Sequence, residues 1–134
     1  MNRKPAIVSL KKYRLTKAER FILKSEKPWG VILFKRNIQS YEQVKNLTGE
    51  IRKCLKDPFY PILVDEEGGK VSRLNKDYWK TYPDANYFGK IASNNLAKAK
   101  RLTYENFKDI GCNLHKLGIN FNCAPVLDLK IKGA

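Results

Sequence analysis

The acidic and basic residues that are arranged as at a ligand-binding site lie in one stretch near the middle of the chain. Residues 61–64 form a short apolar run, typical of a buried strand, that ends in Asp65, two more carboxylates and a pair of glycines, with Arg73 a few residues later. In parallel α/β folds ligands bind just past the carboxyl ends of strands, so Asp65 stands where a ligand would meet the sheet. The glycines allow a sharp turn that returns Arg73 to Asp65. A carboxylate beside a guanidinium suits a ligand rich in hydroxyl groups.

Two other interpretations of this stretch are weaker or equally economical. Asp65, Glu66 and Glu67 are consecutive, and consecutive strand residues point to opposite faces, so they do not converge on one metal ion and we assign no metal site. From spacing alone, a solvated acidic turn explains the pattern as well as a binding site does.

His115, the single histidine, lies near the end of a predicted helix, where a cationic imidazole has an ordinary structural use, and we assign it no catalytic role.

Three motifs, in the same order over nearly the whole chain, resemble glycoside hydrolase family 3. They are GVILFKRN at residues 30–37, VDEEGGKVSR at residues 64–73 and LGINFNCAPVLD at residues 117–128. Within that family they are similar to the bacterial β-N-acetylhexosaminidase branch, which trims cell-wall sugar fragments during peptidoglycan recycling. Members fold as a (β/α)8 TIM barrel. The resemblance therefore implies an α/β fold in which residues 1–134 are the N-terminal half of such a barrel, with about four parallel strands alternating with helices.

The resemblance also implies an activity. It is retaining hydrolysis of terminal β-linked N-acetylglucosamine through a glycosyl-enzyme intermediate, in which Asp65 accepts hydrogen bonds from sugar hydroxyls and Arg73 donates to them or fixes the Asp65 carboxylate. The family places its nucleophile and its histidine-bearing catalytic loop further on, so we assign no catalytic residue, and we expect no cofactor. We expect the 134-residue chain alone to be inactive.

A different class of function remains open. The chain could be a non-catalytic basic module that binds a sugar, an anion or a complementary barrel half. A piece of a barrel leaves unpaired strand edges, so we also expect self-association. Reading the DNA after codon 134 would separate the enzyme from the module.

Length and composition set the frame for these hypotheses. A complete barrel needs about 250 residues, so 134 residues lead us to expect a truncated one. The sequence contains no apolar run long enough to span a membrane and its first residues do not resemble a signal peptide, which predicts a soluble cytoplasmic protein without a membrane partner. Cys54, Cys112 and Cys123 lack metal-type spacing and are odd in number, so we expect buried, reduced thiols.

The net charge of +14 is concentrated at the N-terminus, where residues 1–36 carry 11 basic and 2 acidic residues. Such a field attracts anions non-specifically. The cations are scattered singly or in pairs, without a basic arm or an aromatic-lined groove, so we expect no specific nucleic-acid partner.

The order of the predicted elements is β-α-β-α-β, followed by a long loop, a long helix and a fourth strand. The predicted strands are residues 6–9, 30–34, 61–64 and 119–123. Capping boxes at Thr16 and Ser40 begin the first two helices, and a third helix runs from about residue 94 to residue 117. Successive β-α-β units imply parallel strands.

Periodicity predicts which helix residues face the core. In the first helix these are Ala18, Phe21 and Ile22. The corresponding sets in the second and third helices are Val44, Leu47, Ile51 and Leu55, and Phe107, Ile110, Leu114 and Leu117.

Four further predictions concern loops, strand ends and a helix end. Residues 35–37 either shape the mouth of a pocket beside Asp65 or form a turn with Asn37 in a left-handed conformation. In the aromatic-rich loop at residues 74–88, Trp79 is a sugar platform or, as we favour, loop packing. We predict that Asp65 and Asp128 lie at one edge of the sheet, and that Gly118 caps the long helix.

Overall fold

The computed structural model describes residues 3–74 and 79–127 of the protein. In chain order its elements are β1 (Lys4–Ser9), α1 (Lys17–Glu26), β2 (Pro28–Leu33), a 3₁₀ turn (Lys35–Asn37), α2 (Tyr41–Leu55), β3 (Ile62–Val64), α3 (Ala85–Ala92), α4 (Leu96–Lys116) and β4 (Phe121–Asn122).

The described strands form one parallel sheet in the order β1-β2-β3-β4. Leu33 pairs with Val64, and Val64 pairs with Asn122, so the carboxyl ends of β2, β3 and β4 lie level with one another. Side chains that follow these strands therefore meet at one edge. The predicted parallel sheet of four strands is confirmed for the described part of the chain.

The helices begin where capping residues satisfy their first amide groups. The Thr16 hydroxyl accepts from the Glu19 amide while the Glu19 carboxylate accepts from the Thr16 amide, which is the predicted capping box. Ser40 caps α2 in the same way, but the Gln43 side chain accepts from the amide of Gln39 instead of returning to Ser40. Thus only half of the second predicted box forms.

The core lies between the central strands and two of the helices. Val31 and Leu33 of β2 and Ile62 and Val64 of β3 are fully buried. The predicted inward residues of the long helices pack against them, with Leu55 and Phe107 partly buried and the rest fully so: Val44, Leu47, Ile51, Ile110, Leu114 and Leu117. This packing holds the centre of the sheet rigid beneath the loops at its carboxyl edge.

Two helix predictions are corrected. Of the predicted inward residues of α1, Ala18 is exposed, and Phe21 and Ile22 are 72% and 47% exposed; Leu23 is the buried residue instead. The face of α1 that meets α2 carries Arg20, which pairs with Glu50, so tertiary contact selects the face opposite to the one we predicted. The predicted loop at residues 74–88 also extends too far, because Asp84 caps a helix, α3, that begins at Ala85.

Gly118 has the predicted left-handed conformation, with φ at +77°. Its amide donates to the carbonyl of His115 (2.9 Å) at the end of α4. A Cβ atom at this position would lie 2.6 Å from Thr48 Oγ1, so α4 ends tightly against α2.

The cysteines are less buried than expected. All three are free thiols, but Cys112 and Cys123 are exposed and Cys54 is only partly buried. Two of the three therefore lie at surface positions and not in the core. Among the described residues no helix is both long and apolar enough to cross a membrane.

Candidate substrate-binding site

The site begins where β3 ends. Ile62, Leu63 and Val64 are buried, and β3 has a parallel neighbour on each side. The Cys123 amide donates to the Val64 carbonyl (2.9 Å), which extends this pairing to the last strand residue. Asp65 is the next residue, so a rigid three-strand platform fixes its backbone at the carboxyl edge.

Asp65 and Arg73 lie together, as the sequence predicted. Arg73 Nη2 donates to Asp65 Oδ2 over 3.0 Å, and the two side chains are 28% and 20% exposed. Each therefore keeps a solvent-facing part while the ion pair fixes their mutual geometry. Hydrogen-bond acceptors and donors side by side can bind neighbouring hydroxyl groups of one ligand.

The turn between them requires glycine. Gly68 and Gly69 have φ angles of +90° and +61°. A Cβ atom on Gly68 would lie 2.3 Å from the Pro83 carbonyl oxygen, and the Gly69 amide donates to the Tyr82 carbonyl (2.8 Å). The turn is thus packed directly against the backbone of the segment before α3, and a side chain has no space there.

Glu66, to which we had assigned no role, holds this loop closed. Its side chain is fully buried. One carboxylate oxygen accepts from the Ser72 hydroxyl (2.6 Å), and the other accepts from the amides of Arg73 (2.9 Å) and Leu74 (3.1 Å). The alternation of side chains along a strand was the available signal, because a residue next to an outward Asp65 must point inward.

Asn122 of β4 is a second residue that the sequence analysis missed. Its amide nitrogen donates to the Glu66 carbonyl and its amide oxygen accepts from the Glu66 amide, both over 2.9 Å. The side chain therefore continues the β3–β4 pairing past the end of the strands. A polar residue inside the run Ile119 to Cys123 was the signal for this role.

Cys123 is the third residue that contacts the site without having been predicted to do so. Partial desolvation and, after it, the negative charge of Asp65 and a hydrogen bond to it raise the pKa of the Cys123 thiol. The thiol lies beside the Asp65 carboxylate, although the residue as a whole is exposed. At neutral pH the thiol is protonated and Asp65 has both Arg73 and Cys123 as neighbours.

Residues 35–37 support the loop after β1. Asn37 is fully buried, donates to the carbonyls of Leu10 and Lys12 (both 3.0 Å), and accepts from the Phe34 amide (2.9 Å). It lies in a right-handed 3₁₀ turn, so the left-handed alternative is wrong. Arg36 contacts the Leu10 carbonyl as well (3.0 Å). Their contacts stabilise the carboxyl edge beside β3.

The remaining candidates lie elsewhere or outside the described residues. Trp79 is partly buried and packs against the core. This contact favours the loop-packing role of Trp79 rather than the role of a sugar platform. His115 lies in the last turn of α4, and because β4 starts just after that turn, it is at the other end of the sheet from Asp65. Asp128 lies outside the described residues. Among the described residues no group of three or more histidine, cysteine, aspartate or glutamate side chains could hold a metal ion.

A parallel sheet with a charged loop at its carboxyl edge defines an α/β fold of the kind in which ligands bind above the strand ends. The family comparison is specific. Residues 4–133 match the model of the glycosyl hydrolase family 3 N-terminal domain. The chain belongs to glycosyl hydrolase family 3.

Its relatives are β-hexosaminidases. It is 34% identical over 125 residues to the β-hexosaminidase of Nitrosospira multiformis and 36% identical over 128 residues to that of Neisseria gonorrhoeae. These alignments cover 93% and 95% of this chain and 35% of each relative. The chain thus spans about a third of the length of the curated relatives it matches.

The structural comparison agrees. A solved structure of NagZ from Neisseria gonorrhoeae in complex with N-trifluoroacetyl-D-glucosamine matches with a TM-score of 0.87 at 33% identity, covering 95% of this chain and 37% of that one. The predicted fold class, parallel strands alternating with helices as in the N-terminal part of a TIM barrel, is confirmed by this likeness.

Proposed function

We propose that this chain supplies part of the sugar-recognition surface of a retaining β-N-acetylhexosaminidase that releases terminal β-linked N-acetylglucosamine. On this proposal residues 1–134 are the N-terminal portion of a family 3 catalytic barrel. The observation that carries the proposal is the Asp65–Arg73 pair (3.0 Å) at the carboxyl edge of the sheet. The complex of a similar protein with an N-acetylglucosamine analogue supports the sugar class.

Each residue has a part in this proposal. Asp65 accepts hydrogen bonds from sugar hydroxyls, and Arg73 orients that carboxylate and donates to a neighbouring oxygen. Glu66 keeps the loop in the conformation that presents both side chains. The family resemblance puts the nucleophile and the histidine-bearing catalytic loop further along the chain, so the proposal assigns these residues binding and positioning roles.

The proposed substrates are cell-wall-derived saccharides in the cytoplasm. Their hydrolysis would be a step in peptidoglycan recycling. Release of a β-linked N-acetylglucosamine requires a fragment whose terminal sugar is free to enter the pocket. The proposal therefore predicts that terminal sugars are released and that internal linkages are not cleaved.

The test is a chimera in which this chain replaces the matching third of the Neisseria gonorrhoeae relative. We expect Asp65→Asn to lower kcat/KM for a chromogenic N-acetylglucosaminide roughly 10- to 150-fold, because one charge-assisted hydrogen bond is worth about 1.5–3 kcal/mol. Asp109→Asn is the matched control, since Asp109 forms an ion pair with Lys80 on the exposed surface of α4. Unchanged kinetics for Asp65→Asn in a chimera with an unchanged melting temperature would reject the assignment.

A non-catalytic interaction module is the second candidate. The observation that favours it is the open sheet edge at β1, where Ile7 is 49% exposed, and at β4, where Phe121 is 43% exposed. Edge strands with free backbone groups pair readily with other strands. Sedimentation of the purified chain should show self-association, and a chromogenic glycoside should not be cleaved by it; a monomer with robust turnover would contradict both expectations.

A further inference from the structure

A second set of charges surrounds a cavity at the opposite end of the sheet from Asp65. The cavity has a volume of about 560 Å³ and lies between the carboxyl-terminal ends of α1 and α2 and the starts of β2 and β3. All of its lining residues fall within residues 3–60, so the first two strand–helix units form it by themselves. Three of the 11 basic residues in residues 1–36, Arg3, Lys24 and Lys27, line it together with Lys53 and Lys56.

The rim of the cavity is strongly basic. It carries Arg3, Lys24, Lys27, Lys53 and Lys56 against one carboxylate, Asp57. Arg3 pairs with Asp57, whereas none of the four lysines forms an ion pair with any residue that the structure describes. The rim therefore has four uncompensated positive charges.

Helix termini explain only part of this arrangement. Cations near a helix C-terminus complement a partial charge of roughly −0.5 per helix. Two helices end at this cavity, so they offset about one of the four uncompensated charges. Lys27 and Lys56 are moreover the two C-cap residues, and both adopt the left-handed conformation, with φ at 48° and 53°. Glycine takes that conformation more readily than lysine, so the left-handed backbone does not account for lysine at these two positions.

The walls of the cavity are apolar, and hydrogen bonding and ring contacts hold Tyr60 at its base. Pro28, Cys54 and Leu55 contribute apolar surface. Tyr60 closes the floor, where its hydroxyl donates to the Pro28 carbonyl (2.8 Å) and the Arg3 guanidinium lies 5.1 Å from the centre of its ring. A ligand held here would place charge at the rim and an apolar body inside.

We propose that this cavity binds a small organic phosphate. Lysine side chains bind phosphate as point charges, and the volume lies in the range of small-molecule sites, about 300–1,000 Å³. The concave shape favours a compact ligand over a nucleic-acid strand, which needs a continuous basic groove. The site is separate from the sugar site, because Asp65 and the cavity lie at opposite ends of the strands.

The first experiment measures binding of ATP without magnesium to the purified protein by calorimetry. Adenosine and inorganic tripolyphosphate supply the body and the charge separately. We expect ATP to bind at least about tenfold more tightly than either part. Equal affinity for ATP and tripolyphosphate would overturn the proposal, since it would show attraction by charge alone.

A charge-matched pair of variants separates the cavity from the general field. The double variant Lys24→Glu, Lys53→Glu changes two exposed rim positions. Lys17→Glu, Lys45→Glu makes the same change in net charge on the same two helices, away from the cavity. We expect the first to raise the Kd for ATP at least about tenfold and the second to change it less than about twofold. Equal weakening by both variants would overturn the proposal.

Cys54 gives a readout inside the cavity that does not depend on mutation. It lines the cavity and is partly buried, whereas Cys112 is exposed on α4. We expect saturating ATP to slow alkylation of Cys54 by iodoacetamide and to leave that of Cys112 unchanged. Unchanged alkylation of Cys54 in the presence of bound ATP would place the ligand elsewhere and overturn the assignment.

Discussion

The two ends of the sheet use charge in opposite ways. At the carboxyl end, Asp65 pairs with Arg73 and the buried Glu66 accepts three hydrogen bonds. At the amino end, four lysines surround a cavity without forming an ion pair among the described residues. The first arrangement fixes geometry, and the second creates a positive potential on flexible side chains.

The two ends should therefore respond differently to mutation. Buried groups with directional hydrogen bonds are costly to remove because their partners lose solvation and bonding together. Exposed lysines contribute little to stability, since water screens them and replaces their contacts. Substitutions at the carboxyl end should therefore change the folding free energy, and those at the amino end should change ligand binding more than folding.

Glu66→Ala has the largest expected effect. It leaves the Ser72 hydroxyl and the amides of Arg73 and Leu74 without their acceptor inside the protein. We expect the free energy of unfolding to fall by about 3–5 kcal/mol, measured by urea denaturation at fixed protein concentration. Glu67→Ala is the matched control, because the neighbouring carboxylate is partly exposed, and it should change stability by less than about 0.5 kcal/mol. Similar losses of stability in Glu66→Ala and Glu67→Ala would contradict the structural role assigned to the buried Glu66 carboxylate.

Gly68→Ala comes next. The added Cβ meets the Pro83 carbonyl oxygen at 2.3 Å and the backbone must keep a φ of +90°. We expect a loss of about 3 kcal/mol, combining the left-handed penalty with overpacking. Gly49→Ala in α2 is the contrasting control, because no atom lies within 4 Å of its Cβ position. That variant should gain about 0.4–1 kcal/mol. A neutral Gly68→Ala would show that the turn is not held as tightly as its contacts indicate.

The sequence predicted the sheet because local and tertiary preferences agree there. The apolar runs, the capping residue Thr16 and the cap Gly118 each point to the observed element. The inward face of α1 could not be predicted, because Phe21 and Leu23 lie on different sides of a ten-residue helix and contact with α2 decides between them. Helix α3 was missed because Asp84 was its only strong start signal within an aromatic segment.

The site was predictable only where residues are neighbours along a motif. Two glycines and a short loop bring Arg73 to Asp65, and both lie within one stretch. Asn122 approaches Glu66 from another strand, so its role depends on strand register, which the sequence does not specify at single-residue precision. Cys123 reaches Asp65 for the same reason.

A smaller effect is expected from Tyr60 at the amino end, as a function of pH. Burial, chiefly, raises the pKa of Tyr60 to about 12. The folded protein therefore keeps the phenol proton above pH 10, where the unfolded chain loses it, so the stability that this proton provides is complete below pH 10 and is lost as pH rises toward 12. We expect a decrease of about 1 kcal/mol between pH 10 and 11 in the native protein relative to Tyr60→Phe. Parallel stability curves for the two proteins would contradict a buried, protonated phenol.

The smallest expected effect on stability is that of Lys24→Gln together with Lys53→Gln. Each lysine lies near the carboxyl end of a helix, where a cation typically contributes about 0.3–1 kcal/mol. Removing both also relieves their repulsion with the other rim lysines, Lys27 and Lys56. Because these terms oppose each other, we expect a net change in unfolding free energy of less than about 0.5 kcal/mol, shrinking further at high salt. Urea denaturation at 10 mM and 500 mM salt would measure it, roughly spanning strong and weak screening. A loss comparable to that of Glu66→Ala would mean that the lysines are structural after all, and the contrast between the two ends of the sheet would fail.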